Sequence, residues 1–93
     1  LAALGVERGV ALLRRALRLT RDVDLARDIA TAMLGLAFEG VTPGREALTL
    51  EQHLAVATLA QHATLLTADT TWLAAMGFPT TREGLDAMVV AVA

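Results

Sequence analysis

Four residues in this chain have side chains that could move protons or hold a metal and lie close together in sequence: Glu51, His53, His62 and Asp69. A carboxylate within hydrogen-bond reach of an imidazole would make a general acid–base pair. On one helix the spacing forbids it. Glu51 and His62 are eleven residues apart, about 1,100° or three turns, so they share a side but stand ~16 Å from each other along the axis. His53 is turned ~200° from Glu51, toward a different neighbour. The catalytic candidates are therefore Glu51, His53 and His62, in a pocket where Glu51 or a histidine from another subunit handles a proton. The competing reading gives Glu51 to a helix N-terminus, where an anion is favoured by a few tenths to ~1 kcal/mol. It makes both histidines interface or rim residues. Trp72 reads as core or interface rather than a ligand platform. The chain has no cysteine, which excludes disulfides, thiolate metal sites and thiol catalysis together. No cofactor or metal is expected.

The element that must position these residues is the stretch from Thr49 to Thr67. Thr49 and Gln52 form a T-x-x-Q capping box, so a helix can begin there at a definite residue. Leu54, Ala55, Val56, Ala57, Leu59, Ala60, Ala63 and Leu66 then place apolar groups on almost every side. A helix apolar nearly all round is surrounded by other helices. On composition alone Ala63–Thr67 also reads as a short strand.

Around it the sequence spells helices of ordinary amphipathic pattern. Val6, Val10, Leu13 and Leu17 share one face of a first helix, Gly5 to Leu19. Arg14, Arg18 and Arg21 lie on another face. That stripe reads as a solvated one, with Arg18 able to pair with Asp22, since no aromatic residues for base stacking lie nearby. The alternative is an anion or nucleic-acid contact. Asp22 and Asp24 suit the start of a second helix. Leu25, Ile29, Met33 and Leu36 form its buried stripe, widened by Ala26, Ala30, Leu34 and Ala37. Gly40 is expected at C′, and Pro43-Gly44 opens a loop that cannot continue the helix.

Asp69 or Thr67 can cap a short helix from Thr70 to Met76 that buries Trp72, Leu73 and Met76. Gly77, Phe78 and Pro79 give it a Schellman-type stop. Thr80-Thr81-Arg82-Glu83 reads as a second capping box. The last helix carries Leu85, Met88, Val89 and Val92 on one face. Gly84 in its first turn costs ~1 kcal/mol against alanine, tolerable beside a close neighbour. The sum is an all-α bundle of about five helices.

Ninety-three residues make one domain, residues 1–93. The apolar fraction is 55% and the mean hydropathy +0.53, rich for so small a chain. A membrane span does not explain this. The longest stretch without Asp, Glu, Arg or Lys, Gln52 to Ala68, carries two glutamines and two histidines and falls short of the ~20 apolar residues needed. A homo-oligomer that buries a second apolar face does explain it. Net charge is −2, which makes no general call for nucleic acid or membrane. Charge is uneven, with five arginines against one glutamate in residues 1–21. Every basic residue other than histidine is arginine. Glu7 interrupts the apolar start before any signal-peptide pattern, so a cytoplasmic location is expected. The chain opens on Leu1 rather than methionine, which is compatible with residues preceding it.

Two segments, AFEGVTPGREALTLEQHLAVA and WLAAMGFPTTREGLDAMV, resemble the carboxymuconolactone decarboxylase and AhpD-like (alkylhydroperoxidase D) superfamily, the likeness covering residues 22–93. It implies an AhpD-like helical core assembled as a homo-oligomer. The family's peroxidase-like members carry a Glu followed by C-x-x-C-x-x-x-H. Laying Glu51 on that Glu puts Ala63 and Leu66 at the cysteines and Thr70 at the histidine, so thiol peroxidase activity is excluded here. The decarboxylase-like branch implies proton transfer on a small carboxylated ring compound; a member without chemistry implies a binding or assembly subunit. A rival resemblance runs from Leu48 to Asp69, which is similar to the helix–strand–Asp unit of PIN-domain ribonucleases. It would make Glu51 and Asp69 part of a carboxylate cluster for Mg²⁺.

Overall fold

The helix that organises the chain begins where its capping box places it. In the computed structural model, which describes residues 2–41, 43 and 47–90, Thr49 Oγ1 accepts from the Gln52 backbone N–H at 3.2 Å. Gln52 Oε1 accepts from the Thr49 N–H at 2.9 Å. Among the described residues the order is α1 (Ala2–Leu19), α2 (Val23–Ala37), α3 (Leu50–Ala60), α4 (Ala63–Thr67), α5 (Thr71–Ala75) and α6 (Arg82–Val90), with no strand. Helix α3 packs against α1, α2, α4 and α6. Its Ala55, Val56, Leu59 and Ala60 are buried. An apolar rod packed among helices is observed, as expected, and the helices seen against it belong to its own chain.

Six helices replace the expected five because the rod is broken. The Gln61 N–H is shared between the carbonyls of Ala57 and Thr58, and the His62 N–H bonds to Leu59, so the last turn tightens. His62 then leaves helical geometry at φ −95°, ψ 79°. No glycine or proline marks the break. Its effect is tertiary: α4 packs against both α2 and α3 and sinks Leu65 into the core while Ala63 and Thr64 stay exposed. Ala63–Thr67 is thus helical, not a strand. The Thr67 hydroxyl donates back to the carbonyls of Ala63 and Thr64.

Other local expectations are met or shifted by one residue. Asp22 caps α2, its Oδ1 accepting from the N–H groups of Asp24 and Leu25. Gly77 has φ +89°, and the Phe78 N–H reaches Leu73 O while the Gly77 N–H reaches Ala74 O, the complete Schellman pair. Gly40 lies beyond the expected C′ position. Its φ of +72° serves a turn closed by the Val41 N–H on Phe38 O at 2.9 Å. The last helix is capped by Thr81 rather than by a Thr80–Glu83 box, its hydroxyl accepting from the Gly84 N–H at 3.0 Å. A Cβ on Gly84 would lie 2.7 Å from Pro79 Cβ, so the glycine is there for that contact.

The core face of α2 is rotated from the expected one. Ala26, Ala30, Met33, Leu34 and Ala37 are fully or nearly buried, whereas Leu25 is 52% exposed. Small residues face inward because α2 packs against both α1 and α3, and alanines let helix axes approach. Helix α1 buries Val10 and Leu17, with Val6 and Leu13 partly covered, as its periodicity implies. Helix α6 buries Leu85 and half-buries Met88 and Val89; Val92 lies outside the described residues. Phe38, just after α2, meets Phe78, just after α5, edge to face at 4.9 Å. No helix among the described residues is long and apolar enough to cross a membrane.

Candidate functional site

The two ends of α3 carry the polar residues singled out from the sequence, and each end borders its own recess. At the N-terminal end Glu51 and Glu39 line a recess of ≈ 390 Å³ with Val6, Leu36, Val41 and Thr49. Glu51 is half-buried in the first turn of α3, where the helix dipole favours its charge. The adjoining residues Thr42 and Gly44–Glu46 lie outside the described ones. Gln52 is part of the lining, and both polar atoms of its amide are engaged. Besides the capping box, its Nε2 donates to Ala37 O at 3.1 Å. One buried amide thereby satisfies a carbonyl at the end of α2 and fixes the start of α3.

At the other end Arg18, Thr58, Gln61 and His62 line a recess of ≈ 180 Å³. Beside it, Arg14 Nε donates to Thr58 Oγ1 at 2.9 Å, while that hydroxyl donates to Leu54 O at 2.8 Å. The bond pins the Arg14 guanidinium by one nitrogen. Burial lowers the Arg14 pKa from its ordinary value, and the neighbouring charge of Arg18 adds in the same direction. Among the described residues neither arginine has a carboxylate within 4.0 Å; the ion pairs found are Arg27–Asp24 and Arg82–Asp86. The expected Arg18–Asp22 pair is absent: α1 ends at Leu19, so Asp22 is not one turn further along the same helix, and its Oδ1 caps α2. His62 adds a ring nitrogen, Nδ1, that is buried without a hydrogen-bond partner among the described residues. Such an atom costs about 1–3 kcal/mol in a folded protein.

The structure therefore places Glu51 and His62 in different recesses. The shared side expected for them assumed one continuous helix, and His62 lies past its end. His53 is half-buried in α3 and lines neither of these two recesses. Within one chain the three candidates are not brought together at a single pocket.

Asp69 is exposed, and its Oδ1 accepts from the Thr71 N–H at 3.0 Å. That hydrogen bond holds its carboxyl below the usual carboxylate range. The helix–strand–Asp unit has no strand, and no group of three or more His, Cys, Asp or Glu among the described residues could hold a metal. Trp72 is half-buried with Nε1 unpartnered.

Sequence reading missed two polar links. Gln52 was legible as a box partner but not as a bridge to Ala37, fifteen residues earlier. The Arg14–Thr58 bond spans 44 residues; its only signal was a threonine inside the apolar run Leu54–Ala60. Comparison with family models, curated proteins and solved structures gives no match to this chain.

Proposed function

We propose that the chain is a self-associating helical subunit, cysteine-free and AhpD-like, that serves as a binding module for small molecules rather than as a thiol peroxidase. The observation that carries the self-association is a leucine row on α1. Leu12 and Leu19 are 68% and 72% exposed and seven residues apart, two turns along one side. They face away from the buried Val10 and Leu17 side of the helix. Large apolar side chains so placed, in a chain of mean hydropathy +0.53, suit a second copy of the same surface. Assembly also bears on chemistry. Because Glu51 and His62 line separate recesses, a proton-moving site that sets an imidazole beside Glu51 and Glu39 would take its histidine from another copy.

Light scattering coupled to size exclusion tests the reading. Wild type is expected at a multiple of 9.8 kDa, and the Leu12→Glu/Leu19→Glu double variant at the single-chain mass with its helical circular dichroism retained. A wild-type protein that is monomeric at tens of micromolar would remove self-association from the proposal.

A further inference from the structure

We propose that the recess at the C-terminal end of α3 is a binding site for a small oxyanion, a carboxylate or phosphate group, held by Arg18 and Arg14 with Gln61 and His62. This goes beyond self-association and does not depend on it, since every residue involved belongs to one copy.

The recess is lined by Arg18, Thr58, Gln61 and His62, and Arg14 stands against the Thr58 wall. Thr58 gives its proton to Leu54 O and receives one from Arg14, so it orients rather than binds. The Nε bond leaves the two Nη groups of Arg14 without a partner among the described residues. Arg18 is exposed and likewise without a carboxylate. Arg14 and Arg18 stand four residues apart on α1, about one turn, so their like charges repel each other, and an anion between them relieves that repulsion. Guanidinium forks match the planar geometry of carboxylate and the oxygens of phosphate. The Gln61 amide adds neutral donors, and the His62 ring completes the lining. No acidic residue lines this recess, which separates it from the Glu51 end.

Size restricts the ligand. At ≈ 180 Å³ the recess is smaller than the roughly 300–1,000 Å³ typical of sites that enclose a drug-sized molecule. It takes an oxyanion head group and leaves the body of a larger ligand outside.

The test is thermal unfolding at pH 7.5 and constant ionic strength, with inorganic phosphate or acetate replacing chloride, on wild type and Arg18→Gln. Arg18 is exposed, so its replacement leaves the fold intact; Gln61→Ala, also exposed, is the second variant. Phosphate is a general stabiliser by exclusion from protein surfaces, and that part persists in both variants. The expected result is a rise in wild-type Tm that grows with the logarithm of anion concentration and exceeds that of Arg18→Gln by about 6–11 °C at roughly ten times Kd, with Gln61→Ala in between. An excess over Arg18→Gln with acetate alone, or with phosphate alone, assigns the head group. An equal rise in wild type and Arg18→Gln with both anions overturns the site.

Discussion

The two ends of α3 use polar residues in opposite ways. At the N-terminal end each hydrogen-bonding atom of the Gln52 side chain has a protein partner: Thr49 N–H on its oxygen and Ala37 O on its nitrogen. Polarity there is spent on closing two helix termini. At the C-terminal end Arg14 Nε and the Thr58 hydroxyl are engaged, while among the described residues Arg18 and His62 Nδ1 have no partner. The first arrangement makes a joint. The second leaves the Arg18 guanidinium unspent beside a cavity, which is what a ligand site requires before its ligand arrives.

Breaking the joint should have the largest effect. Gln52→Leu removes the reciprocal half of the capping box and leaves the buried Ala37 carbonyl without its donor. A loss of about 2–4 kcal/mol is expected, read as a lower urea midpoint with an unchanged slope. A loss under 0.5 kcal/mol would mean that water or a neighbour replaces the amide. At the opposite end Arg14→Met should be nearly neutral, within about 1 kcal/mol. It deletes one hydrogen bond, but Thr58 keeps its bond to Leu54 O, and the repulsion from Arg18 disappears. If Arg14→Met costs as much as Gln52→Leu, the two ends are equally structural and the contrast between them fails.

What could be read in advance follows the same division. Features decided within four or five residues were legible: the Thr49–Gln52 box, the Asp22 cap and the Gly77 stop all depend on local backbone groups meeting nearby side chains. Arg18–Asp22 failed for an equally local reason, since α1 stops at Leu19 and Asp22 belongs to the cap of the next helix. The end of α3 was not legible. Nothing in Ala60-Gln61-His62 forces a break, and the chain turns there because Leu65 is buried against elements remote in sequence. That single turn moved His62 from the same rod as Glu51 to a different recess. The Arg14–Thr58 bond was hidden for the same reason, as helical periodicity assigns faces but not which faces meet. On α2 the periodicity favoured the large residues, whereas close packing selected Ala26 and Ala30.

The most direct measurement of the contrast between the ends is a backbone and side-chain amide NMR titration of the wild-type protein with inorganic phosphate at fixed ionic strength. The account expects saturable shifts clustered on Arg18, Thr58, Gln61 and His62, with Thr49, Gln52 and Glu51 unmoved. Shifts absent throughout, or centred on the Glu51 end, would contradict it.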